Sequence, residues 1–179
     1  MLKRTFKTAL LLGSCLMLAT PAFAQSAGEK TGVNSKLGIA PKTTDFVTEA
    51  ATSDMFEIQA GKLAAGRTTG DVQSFANQMV TDHSKTEELT GLAKSANIPL
   101  PTEITSSQKS MMDKLNGLQG NDFAKQYMDD QVSAHEDAVS LFDRYGKGGD
   151  NAQLKDWAGT TLPVLQHHLD MAQGLYKNM

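Results

Sequence analysis

Cysteine, proline and tryptophan are scarce in this chain of 179 residues, which has one Cys, five Pro and one Trp. A lone cysteine, Cys15, has no second thiol to pair with, so a disulfide scaffold is excluded. No GxSxG, GxGxxG or P-loop pattern occurs, which leaves a serine hydrolase, a dinucleotide enzyme and a P-loop nucleotidase without support. Basic residues are the minority, 17 Lys and Arg against 20 Asp and Glu, for a net charge of -3. Neutralising phosphates takes clustered Lys and Arg, so nucleic acid is excluded as a partner. A membrane-length apolar run is also missing, because a helical span needs about 20 such residues.

The run that comes nearest, Ala9 to Ala19, follows Lys3, Arg4 and Lys7 and precedes Ala22-Phe23-Ala24. A basic start, a short apolar centre and small residues at the end describe a secretory signal cleaved after Ala24. Cleavage would remove three positive charges and no negative ones, taking the net charge from -3 to -6. The expected product is a periplasmic protein, residues 25–179, with no transmembrane segment. Cys15 in LGSC allows a rival, in which a lipid is attached at that cysteine, although the apolar core ahead of it is very short.

Residues 25–42 are rich in Gly, Ser, Lys and Asn and lack apolar periodicity, which predicts a disordered leader. From residue 43 to 179 apolar residues recur every three or four positions. The pattern predicts helices over about 44–66 with Thr43 or Thr44 as N-cap, 71–96, 106–118, 122–145 and 151–177, the last kinked at Pro163. Two hairpins of long helices joined by a long connection imply an all-α fold, a ferritin-like four-helix bundle with one long crossover containing a short extra helix. A faint repeat fits that arrangement: DVQSFA at 71–76 resembles NAQLKDWA at 151–158, and a shift of 78 residues sets Glu57 opposite His135.

At 100 degrees per residue the company of each polar side chain can be worked out. Glu57 shares its face with Phe46, Ala50, Ala60 and Ala64, and His83 shares its face with Val72, Ala76, Met79 and Val80. His135 lies in the clearest apolar stripe, Met128, Val132, Val139 and Phe142. His168 goes with Val164, Leu165, Met171 and Leu175, while its neighbour His167 faces outward. Four helices thus each send one ligand type inward, Glu57, His83, His135 and His168, with His83 and His168 differing in height by about 7 Å.

Buried ionisable groups are costly unless paired or coordinated. Three imidazoles and a carboxylate suit a single Zn, Cu or Fe ion, and Met79 and Met171 would tolerate a soft one. Asp82, Glu87, Glu136 and Asp170 are candidates to hold the outer ring nitrogens. No organic cofactor is implied, and no nucleophile or proton-transfer arrangement supports an enzyme. The competing reading is a non-catalytic helical interaction module for an envelope protein partner, with the same residues forming a buried hydrogen-bond network and no metal.

The segments FVTEAATSDMFEIQAGKLA, FANQMVTDHSKTEELTGLA, NIPLPTEI, AHEDAVSLF and TLPVLQHHLDMA, in that order and spacing, resemble the bacterial "domain of unknown function 4142" family over about residues 43 to 176. The resemblance implies export and a ferritin-like bundle and supplies no activity. True di-iron ferritin-like proteins carry Glu three residues before each ligand His, where this chain has Val80, Val132 and Leu165. That departure speaks against a carboxylate-bridged di-iron centre and for a mononuclear, His-rich one.

Overall fold

A computed structural model describes residues 25–179, so the expected signal sequence, the expected cleavage after Ala24 and the lipid attachment considered at Cys15 lie outside the described residues. Those residues form an all-α structure: α1 Ala27–Lys30, α2 Val33–Lys36, α3 Thr43–Arg67, α4 Gly70–His83, α5 Glu87–Ser95, α6 Ser106–Gly117, α7 Gly120–Gly148 and α8 Ala152–Lys177. Short turns fold α4 back on α3 and α8 back on α7, and α3 also packs on α7 and α4 on α8. Gly70 opens α4 with φ +65°, a backbone state that costs a residue with a Cβ. None of these helices is long and apolar enough to cross a membrane.

Three local expectations need correction. The helix expected over 71–96 is two helices, α4 and α5, broken at Ser84 to Thr86. Ser84 Oγ donates to the Val80 carbonyl and competes for the helix ladder, while Glu87 and Glu88 favour the positive end of a new helix. The N-cap of α3 is Lys42, without a side-chain bond. Thr43, already helical, turns its hydroxyl to Tyr145 Oη at 2.6 Å and to Asp150, which ties the start of α3 to the end of α7. Thirdly, residues 25–42 form α1 and α2 instead of a disordered leader. Glu29 receives both Arg144 guanidinium nitrogens at 2.9 and 3.1 Å, and Arg144 also donates to the Ile39 carbonyl at 2.7 Å. Composition alone misses this because a buried ion pair and a few polar contacts, not an apolar stripe, do the anchoring.

Pro163 sits inside α8, which continues on both sides of it. The carbonyl it leaves without a donor belongs to Gly159, on an exposed stretch where water can serve it.

Apolar burial falls into two clusters. One holds Phe56, Phe75, Met79, Phe123, Tyr127 and Met128, and the other Phe46, Leu89, Leu141, Phe142, Leu154 and Leu165. Phe46 stacks on Tyr145 with ring centroids 4.0 Å apart. Burying each such side chain contributes about 2–3 kcal/mol. Along α7 the first cluster ends at Met128 and the second begins at Leu141, with His135 between. In α8 His168 likewise lies between Leu165 and Ala172. The histidines therefore occupy a polar layer between two apolar ones.

Candidate metal centre

His83, His135 and His168 meet. One ring nitrogen of each lies within 4.8 Å of one ring nitrogen of the others, and the ring centroids are 5.5 to 5.7 Å apart. All three side chains are buried, at 8%, 1% and 2% exposure. Three helices deliver them: His83 is the last residue of α4, His135 the middle of α7 and His168 the last third of α8. The 7 Å height difference that residue counting gives for His83 and His168 is absent from the folded chain.

Each imidazole has one nitrogen engaged outward. His83 Nδ1 donates to Asp54 Oδ1 at 2.8 Å, His135 Nδ1 to the Gln131 carbonyl at 2.9 Å, and His168 Nε2 to Asp82 Oδ2 at 3.2 Å. A carbonyl can only accept and an ionised carboxylate can only accept, so the ring hydrogen sits on those outer nitrogens. The remaining nitrogens, His83 Nε2, His135 Nε2 and His168 Nδ1, are buried without a hydrogen-bond partner. Buried polar atoms without a partner are uncommon in folded proteins, and three in one cluster need a common cause. Ligating histidines are oriented in this way, with the second nitrogen tied to a carboxylate or carbonyl. Nitrogens 4.8 Å apart close on a shared ion at about 2.0–2.1 Å by movements of about 1 Å each.

The electrostatics of the layer suit a cation. Burial pushes the His135 imidazolium down to about 3, assisted by the charges of His83 and His168 and opposed by the Gln131 carbonyl. His168 is lowered by burial and by His83, against the pull of Asp82. For His83 burial also works downward, but the Asp54 hydrogen bond and the charges of Glu57, Asp54 and Asp82 outweigh it and raise the group. Two of the rings are held neutral, as metal ligands must be, and the acids around the third prefer positive charge there.

Glu57, the fourth expected ligand, is not in the group of mutually close donor atoms. It is 1% exposed, and neither carboxylate oxygen has a hydrogen-bond partner. Burial raises its carboxyl to about 7, against the charge of His83 and the Gln131 amide beside it. Gln131 and Tyr127 are fully buried, and both amide atoms and the phenol oxygen are likewise unpartnered. Among the described residues no Lys or Arg pairs with Glu57; Arg67 instead donates to the Leu115 and Asn116 carbonyls at the end of α6.

Of the four residues expected to hold the outer ring nitrogens, Asp82 does so, while Glu87, Glu136 and Asp170 are exposed. The break after His83 turns Glu87 away. Asp54 and the Gln131 carbonyl were not foreseen from the sequence. Asp54 had a signal, since it stands one turn before Glu57 on α3; the backbone carbonyl had none. A cavity of about 890 Å³ runs from Lys85, Glu88 and Gln108 at the surface to His83 and His168, and Phe142 and Trp157 line its apolar part.

No curated protein and no solved structure matches the chain. A family pattern described as "Domain of unknown function (DUF4142)" matches residues 28–175, and the segments that carry it include all three histidine helices. The chain therefore belongs to the DUF4142 family.

Proposed function

We propose that this protein is an exported periplasmic helical bundle of ferritin-like arrangement that binds one transition-metal ion through His83, His135 and His168, for metal handling or envelope stress protection. The observation that carries the reading is the trio of buried ring nitrogens without partners, each on an imidazole whose other nitrogen is tied down. Three imidazole donors favour Zn(II), Cu(II) or Fe(II) over Mg(II) and Ca(II), which prefer oxygen donors. Asp54 and Asp82 offset part of the ion's charge through the rings they hold. The cavity gives the ion a route between solvent and the buried layer.

The test is metal analysis of untagged protein from a periplasmic extract, with thermal unfolding before and after chelation. Near-stoichiometric metal, lost in the double variant His83→Ala/His135→Ala, supports the reading. Metal-free protein whose melting temperature ignores added Zn(II), Cu(II) and Fe(II) leaves the interaction-module alternative.

A further inference from the structure

The polar layer contains more than the three imidazoles. Glu57, Gln131 and Tyr127 bury five unpartnered polar atoms next to them, and the cavity lining includes none of the three. A carboxylate kept from water needs a hydrogen-bond donor or a cation. Gln131 lies beside Glu57 without completing a bond, no Lys or Arg is paired with it among the described residues, and the positive charge it feels is that of the His83 ring, itself one of the three converging imidazoles.

This inference rests on the metal reading above. An ion held by three protein nitrogens has at least one further position, which in catalytic zinc centres goes to water or substrate. We propose that Glu57, backed by Gln131 and Tyr127, accepts a hydrogen bond from the ligand in that position. The centre then takes water and comparably small protic molecules and turns away small anions. Glu57 serves this role and not direct coordination, because its oxygens lie outside the group of converging donors. Its full burial confines the ligand to small size, and its negative charge beside His83 sets the preference against anions. The arrangement reassigns an acidic residue from ion ligand to positioning residue, with selectivity between exogenous ligands as its readout.

Full-length protein loaded with Cu(II) alone is titrated with azide at about pH 8 and followed by charge-transfer absorption. Wild type is expected to bind azide weakly. Glu57→Gln, which keeps shape and removes the charge, is expected to keep its copper and bind azide at least about tenfold more tightly. Tyr127→Phe, which leaves the carboxylate in place, is expected to stay weak. Equal azide affinity in loaded wild type and Glu57→Gln overturns the proposal, as does equal tightening in Tyr127→Phe. Loss of copper from Glu57→Gln to the extent seen in His135→Ala also overturns it, by making Glu57 a ligand. Wild type that takes up no copper overturns the metal reading itself, and this inference with it, a result told apart by stoichiometry before any azide is added.

Discussion

Gly61 on α3 lies close against the backbone of α4, and its replacement by Ala gives a demanding test of how His83 is positioned. A methyl built at Gly61 would stand 2.8 Å from Val80 Cγ2 and 3.1 Å from the Ala76 carbonyl oxygen. The first contact involves a side chain stiff at χ1, and the second is helix backbone that cannot rotate aside. Exchange of Gly for Ala inside a helix should add about 1 kcal/mol of stability on its own. Overpacking of this kind costs about 1–3 kcal/mol, and the backbone contact argues for the upper half. The net expectation is a loss of about 1–2 kcal/mol, or about 2 to 8 °C in melting temperature for a domain of this size. Urea unfolding of chelator-treated protein measures it. In a Val80→Ala background the shorter contact disappears while the Ala76 carbonyl contact remains, and the same substitution should cost less than in wild type. Because α4 ends in His83, Gly61→Ala should also weaken zinc binding in wild type. A Gly61→Ala protein as stable as wild type, or more so, refutes the close approach and the positioning argument with it.

Other outcomes follow from the same geometry. Asp54→Asn and Asp82→Asn should each lower metal affinity about 10- to 100-fold while leaving the helical circular dichroism unchanged, as competition with a chromophoric chelator would show. His135 has a folded value near 3 against 6.5 in the unfolded chain, so the unfolded state takes the proton first. Its stabilising contribution is complete above about pH 6.5 and is lost as pH falls from there toward 3, by up to about 5 kcal/mol, visible in urea midpoints of metal-free protein. Glu57 has the opposite sign: raised from 4.5 to about 7, it costs stability as pH rises through that window, by about 3 kcal/mol. Glu57→Gln should remove that part of the pH profile. Arg144→Met should destabilise by about 3 kcal/mol and open residues 25–42 to proteolysis, whereas Arg144→Met with Glu29→Met recovers most of the loss.

Helix content and the inward direction of four polar residues were legible because both follow from a period of 3.6 along one helix. His135 and His168 among apolar neighbours, and His167 facing out, needed no more than counting. What counting could not supply was whether side chains on different helices reach the same depth. Glu57 illustrates this: it points inward as expected, yet stands outside the convergence of the three rings. The break at Ser84 was hidden because the apolar pattern runs on through Leu89 and no side-chain cap marks the start of α5. The anchoring of residues 25–42 includes a pairing over 115 positions, Glu29 with Arg144, and no local pattern announces such a contact.

The three rings are oriented by different means, with unequal evolutionary consequences. Asp54 and Asp82 can be exchanged one codon at a time, so the settings of His83 and His168 are open to gradual retuning. His135 instead leans on the main-chain oxygen four places earlier, which every residue type provides. As long as that stretch remains helical, its orientation survives drift at the neighbouring codons, and variation in ring orientation among descendants should concentrate on the other two.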